Sequence, residues 1–158
     1  MNRISKSILM LFFLTSIMAC KKDNESIDDE KPKIDLTAEN AFPKQCSQIK
    51  RGESFKFQMH LSDNVALGSY SIDVHHNFDH HSHSTEVEEC TLDPVKKPIQ
   101  PFTMVKSMDI PGEPKEYIAQ LQIDVPADVD PGNYHFMVQV TDLSGWSTQR
   151  GISIRITE

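Results

Sequence analysis

The 158 residues suffice for one compact domain and leave little over for a second. Acidic residues outnumber basic ones, 23 to 16, and the formal charge is −7. That balance excludes the basic footprint of a nucleic-acid binder.

The N-terminus reads as a processing segment and not as fold. "MNRISKSILMLFFLTSIMAC" carries Arg3 and Lys6 and no acid, then an apolar run from Ile8 to Leu14, then small or apolar residues up to Cys20. This is the layout of a secretory signal, and its apolar core is short for the alternative, an uncleaved membrane anchor. The closing "SIMAC" resembles a bacterial lipobox, with Ile17 aliphatic, Ala19 before the cleavage point and Cys20 as the first mature residue. The resemblance implies acylation of Cys20, and several acyl chains on one residue hold a protein stably at a membrane. Residues 1–19 are therefore expected to be a lipoprotein signal peptide, and residues 20–33 a lipidated cysteine with a flexible tether. "KKDNESIDDEKPK" has one aliphatic residue among its charges and cannot bury anything. A charged stretch behind the lipidated cysteine resembles export signals of Bacteroidota surface lipoproteins. It implies anchorage to the outer membrane, at the cell surface, with the periplasmic face as the other reading.

From residue 34 to 158 the pattern is that of short, half-buried strands. "FKFQMHL" places Phe55, Phe57, Met59 and Leu61 on one face, and "YSIDVH" does so with Tyr70, Ile72 and Val74. "YIAQLQIDV", "YHFMVQV" and "ISIRI" alternate in the same way, and "IDLT" and "FTMVKSMDI" are weaker candidates. No segment has a helical period. Seven strands at this spacing predict an all-β fold, a seven-stranded immunoglobulin- or fibronectin-III-like sandwich. "DVDPGNYHF" fits a tyrosine corner, with Tyr134 bonding back to the backbone of residues 130–132. The antibody Cys–Trp–Cys pattern is missing. One long connection, about Asn77 to Pro101, links the third strand to the fourth, and loops of that length are usually functional or disordered.

With Cys20 assigned to lipid, Cys46 and Cys90 remain as a pair in an oxidising compartment, where a disulfide is the default. The rival is that their thiolates join a metal site.

That rival arises because five of the seven histidines fall within residues 75–83. Neutral imidazole is the commonest side-chain ligand for zinc and copper. His81 and His83, two apart, project to one side of an extended chain. His75 and His76 end the third strand facing opposite ways, with His76 inward at the rim. "NFD" is short enough to turn His80, His81 and His83 back over them, and Asp79 can ligate or orient a ring. In a sandwich the end of the third strand lies beside the start of the sixth, which makes His135 a cross-strand neighbour of His75. The expected metal set is therefore His75, His76, Asp79, His80, His81, His83 and His135, holding zinc or, alternatively, copper. His60, in the other sheet, is expected to stand apart. Against this stands a polar loop that merely happens to be rich in histidine.

"DNVALGSYSIDVHHNFDHHSHS" followed by "PADVDPGNYHFMVQVTDLSGWST" resembles a Bacteroidota family of small lipoproteins known as domain of unknown function 4625, over about Lys33 to Thr157. The resemblance implies an Ig-like extracytoplasmic module and brings no activity with it. The expected function is metal scavenging, or delivery to an outer-membrane importer. A surface adhesion or assembly module for a protein or glycan partner is the alternative. No enzyme is expected: the sequence has no HExxH helix and no Gly-x-Ser-x-Gly elbow. A His-x-His on a sandwich is similar to copper–zinc superoxide dismutases, whose further ligands spread over distant strands.

Overall fold

Alternating apolar and polar side chains become eight β-strands, without a helix, in the computed structural model, which describes residues 27–83 and 90–158. The signal segment, the lipobox and Cys20 lie outside the described residues. The strands are β1 (Lys33–Asp35), β2 (Ser47–Lys50), β3 (Ser54–Ser62), β4 (Leu67–His76), β5 (Met104–Asp109), β6 (Glu116–Asp124), β7 (Gly132–Asp142) and β8 (Ser147–Thr157). They form a three-stranded sheet, β1-β3-β6, and a five-stranded sheet, β2-β8-β7-β4-β5, in a sandwich-like arrangement.

The core between the sheets takes the alternate residues that the sequence pattern picks out. Phe57, Met59 and Leu61 come from β3, Ile72 and Val74 from β4, Phe136, Val138 and Val140 from β7, and Ile152, Ile154 and Ile156 from β8. Phe57 stacks on Phe136 with ring centroids 5.6 Å apart, bridging the two sheets. Each such side chain contributes about 1.5–3 kcal/mol by leaving water.

The strand count corrects the expected seven. The additional strand is β2, which pairs parallel to β8 with Ile49 opposite Ile156. After β1 the chain leaves the smaller sheet and joins the larger one. Four residues with one buried side chain, Ile49, carry no periodic signal, and only the β8 edge makes them a strand.

Tyr134 is buried at the start of β7, and its hydroxyl donates to the Asp130 carbonyl at 2.6 Å. The same oxygen accepts the Phe102 N–H at 3.1 Å, so it also holds the chain entering β5. Burial pushes the Tyr134 hydroxyl up to about 12.

β7 departs from simple alternation. Asn133, His135 and Met137 lie on its outward phase and are nevertheless buried, His135 completely. The described parts of the long connection between β4 and β5 lie across this face. Cys90 is disulfide-bonded to Cys46, the Asp93 N–H donates to the Asn133 side chain at 2.7 Å, and Arg155 on β8 pairs with Asp93 at 2.6 Å. Neither cysteine is therefore a free thiolate ligand.

Candidate metal centre

The site begins where β4 runs out. His75 pairs across the sheet with His135, and His76 with Tyr134. The Asn77 N–H then donates to the Asn133 carbonyl at 2.8 Å, the last backbone link before the chain turns. Phe78 anchors the turn. It is buried, meets the Tyr134 ring edge-on at 5.2 Å, and lies over Gly132. A Cβ at Gly132 would come within 3.0 Å of the Phe78 ring, and the φ of +135° there suits glycine, so the close approach requires that residue. His80 completes the reversal with a left-handed φ of 60°, a conformation in which His is enriched among non-glycine residues. The returning chain lays His81 and His83 over His75 and His135.

One ring nitrogen from each of His75, His81 and His83 lies within 4.8 Å of the others. His75 Nε2 and His83 Nε2 are 3.1 Å apart. Two nitrogens on one tetrahedral zinc, with bonds of about 2.0–2.1 Å, sit about 3.3 Å apart, so this pair is already at ligand spacing. The remaining nitrogens are committed in a matching way. His75 Nδ1 bonds Asp73 Oδ1 at 2.8 Å, and His81 Nδ1 bonds Asp79 Oδ1 at 2.6 Å. A neutral imidazole that donates Nδ1–H presents Nε2 as a lone pair, and both carboxylates fix that tautomer and the ring's direction. The hydrogen bond from His81 holds the Asp79 carboxyl below the usual carboxylate range.

His135 supplies the floor. Its ring centroid is 4.6 Å from that of His83, 4.8 Å from His81 and 5.4 Å from His75. Its Nε2 donates to the His81 carbonyl at 3.1 Å, which ties the returning strand to β7. His76 stacks on Phe78 at 4.9 Å and accepts the Phe78 N–H, a rim position beside the cluster. His80 points away and bonds the Asp93 carbonyl at 2.8 Å. His60 lies in the other sheet beside Glu116. Of the seven expected ligands, the structure thus gathers three, sets Asp79 and His135 as supports, and leaves His76 and His80 outside the gathered nitrogens.

Asp73 is the residue that sequence reasoning passed over. The available signal was an Asp two residues before each of two histidines, "DVH" at 73–75 and "DHH" at 79–81. On a strand, residues two apart share a face, which gives the first pair its contact. Residues 18–157 match the family model described as Domain of unknown function (DUF4625). No curated protein matches the chain.

Proposed function

We propose that this chain, which belongs to the family described as Domain of unknown function (DUF4625), binds a transition metal through His75, His81 and His83. One observation carries the reading: three imidazoles converge, and two of them are each held by a carboxylate through the nitrogen that faces away. That is the arrangement of metal-ligating histidine, and a decorated loop has no reason to adopt it twice. Three neutral nitrogens suit zinc, with copper the alternative. Three protein ligands leave a fourth position open, and the His75 and His81 side chains are partly exposed. An open, accessible site exchanges its ion readily, which fits a scavenger or delivery protein better than a structural zinc. We assign no catalysis to it.

The finer reading of the fold is immunoglobulin- or fibronectin-III-like. It is supported by the sheet order and by the Tyr134 hydroxyl bonded to the Asp130 carbonyl. With the lipobox at Cys20, we read the chain as an outer-membrane lipoprotein that carries the metal site at the end of a tether, within reach of an importer.

Calorimetry on the untagged domain tests the metal reading. Zinc or copper should bind the wild type, fail to bind a His81→Ala/His83→Ala double variant, and bind more weakly in acid, where protons compete with the metal for the same lone pairs. No heat and no melting shift at micromolar metal would sink it.

A further inference from the structure

At the other end of the β4–β7 pair, Leu67 lies opposite Asp142, some eight residues or roughly 25 Å along the strands from the histidines. Three carboxylates meet there. One oxygen each from Asp28, Asp63 and Asp142 lies within 4.8 Å of the others. Asp63 and Asp142 are 9% and 4% exposed.

Each carboxylate divides its oxygens in the same way. Asp63 Oδ1 accepts the N–H groups of Val65 and Ala66, both at 2.8 Å. Asp142 Oδ1 accepts the Trp146 N–H at 2.8 Å, and Asp28 Oδ1 accepts from the Asn64 side chain at 3.1 Å. In all three, Oδ2 is buried and has no hydrogen-bond partner among the described residues. A buried carboxylate oxygen without a donor is rare, because nothing replaces the water it gave up. Here there are three, mutually repulsive, and no cationic side chain among the described residues forms an ion pair with any of them.

We propose that Asp28, Asp63 and Asp142 hold a divalent cation of the calcium type. The missing partner of all three Oδ2 atoms is one positive ion. The donors are oxygen only, which selects hard cations over the zinc or copper favoured by the histidines. Oxygens about 2.4 Å from a common calcium lie no more than about 4.8 Å apart, and the gathered oxygens meet that limit. The ion also clips the chain ahead of β1 onto the β3–β4 and β7–β8 turns. Asp28 is already docked there, its carbonyl accepting the Trp146 Nε1–H at 2.9 Å. Calcium would thus fix how the sandwich sits on the segment that leads to Cys20.

The chain has a single tryptophan, and it touches this site, which supplies the readout. Terbium, an oxygen-seeking stand-in for calcium, is titrated into the full domain with excitation through Trp146. The expected result is sensitised emission that millimolar calcium displaces, that survives His81→Ala/His83→Ala, and that needs roughly tenfold or more terbium in Asp63→Asn and Asp28→Asn. Asp28 lies outside every strand, so its variant reports on the site even where Asp63→Asn disturbs the turn. Absence of emission from the wild type would overturn the proposal. So would emission indifferent to Asp28→Asn, or displacement by zinc and not by calcium.

Discussion

The two carboxylates behind the histidines give the sharpest test of the metal centre, because they can be neutralised without touching a ligand. Asp73→Asn and Asp79→Asn each keep the side-chain shape and remove the charge facing His75 or His81. Both carboxylates are about half exposed or more, so in the metal-free protein solvent screening leaves each pairing little to contribute to stability. Toward a bound metal the effect is larger. Losing the partner that orients a ligating imidazole costs roughly 10- to 100-fold in affinity, about 1.4–2.7 kcal/mol. The two substitutions act on different rings, so independence predicts roughly a 10²- to 10⁴-fold loss in the double variant. The His75 and His81 rings stack at 5.6 Å, and any shortfall from the product measures their coupling. The assay is competition for zinc against a chromogenic chelator, with metal-free melting curves alongside. Asp35→Asn is the control, since that carboxylate only caps its own turn at Thr37 and Ala38. The reasoning fails if the double variant loses less than about threefold. It fails equally if metal-free stability falls in step with affinity, because the carboxylates would then be supporting the fold.

Other consequences reach beyond the metal. Tyr134→Phe leaves the Asp130 carbonyl and the Phe102 N–H without their shared partner, and should lower unfolding free energy by about 1–3 kcal/mol in urea melts with an unchanged slope. Because burial raises the Tyr134 hydroxyl to about 12, its stabilising contribution is intact below the ordinary tyrosine pKa of about 10 and is lost as pH climbs through the folded value. Alkaline unfolding of the wild type over that window, absent from Tyr134→Phe, is the check. The Cys46–Cys90 disulfide spans 44 residues, so Cys46→Ser/Cys90→Ser should cost up to about 4 kcal/mol in denaturant melts and weaken zinc binding by loosening the loop that carries His81 and His83. Unchanged zinc affinity would show that Phe78 and the hydrogen bonds of His80 and His135 seat the loop without the disulfide. Asp79 has a depressed pKa, so its pairing is complete above the ordinary carboxylate value and is lost only as pH falls through the lower folded value. A carboxyl NMR titration should place Asp79 below the usual carboxylate range, and His81→Ala should return it there.

The histidine cluster was legible in the sequence as a density of imidazoles, and the strand pattern put His75 opposite His135, where the sheet register has it. Which rings converge was not legible. His80 and His81 are neighbours, yet one bonds the Asp93 carbonyl and the other joins the cluster, because the left-handed φ at His80 throws successive side chains apart. Phe78 looked like turn filler between histidines and is instead the buried anchor on Gly132. The acidic triad left no local mark, since Asp28, Asp63 and Asp142 are scattered across the chain and meet only when the β3–β4 and β7–β8 turns come together.

By itself, the sequence determined the all-β class, the long connection after the strand ending at His76, and the core side chains of β3, β4, β7 and β8, because alternation of burial is written residue by residue. Tertiary structure alone decided that Ser47–Lys50 is a strand, that His135 is buried beneath a loop, and that three imidazoles at one end and three carboxylates at the other each face a common point. Those outcomes depend on distances between residues far apart in the chain. A period of two fixes which side of a strand a residue takes; it carries no information about what the fold brings to that side.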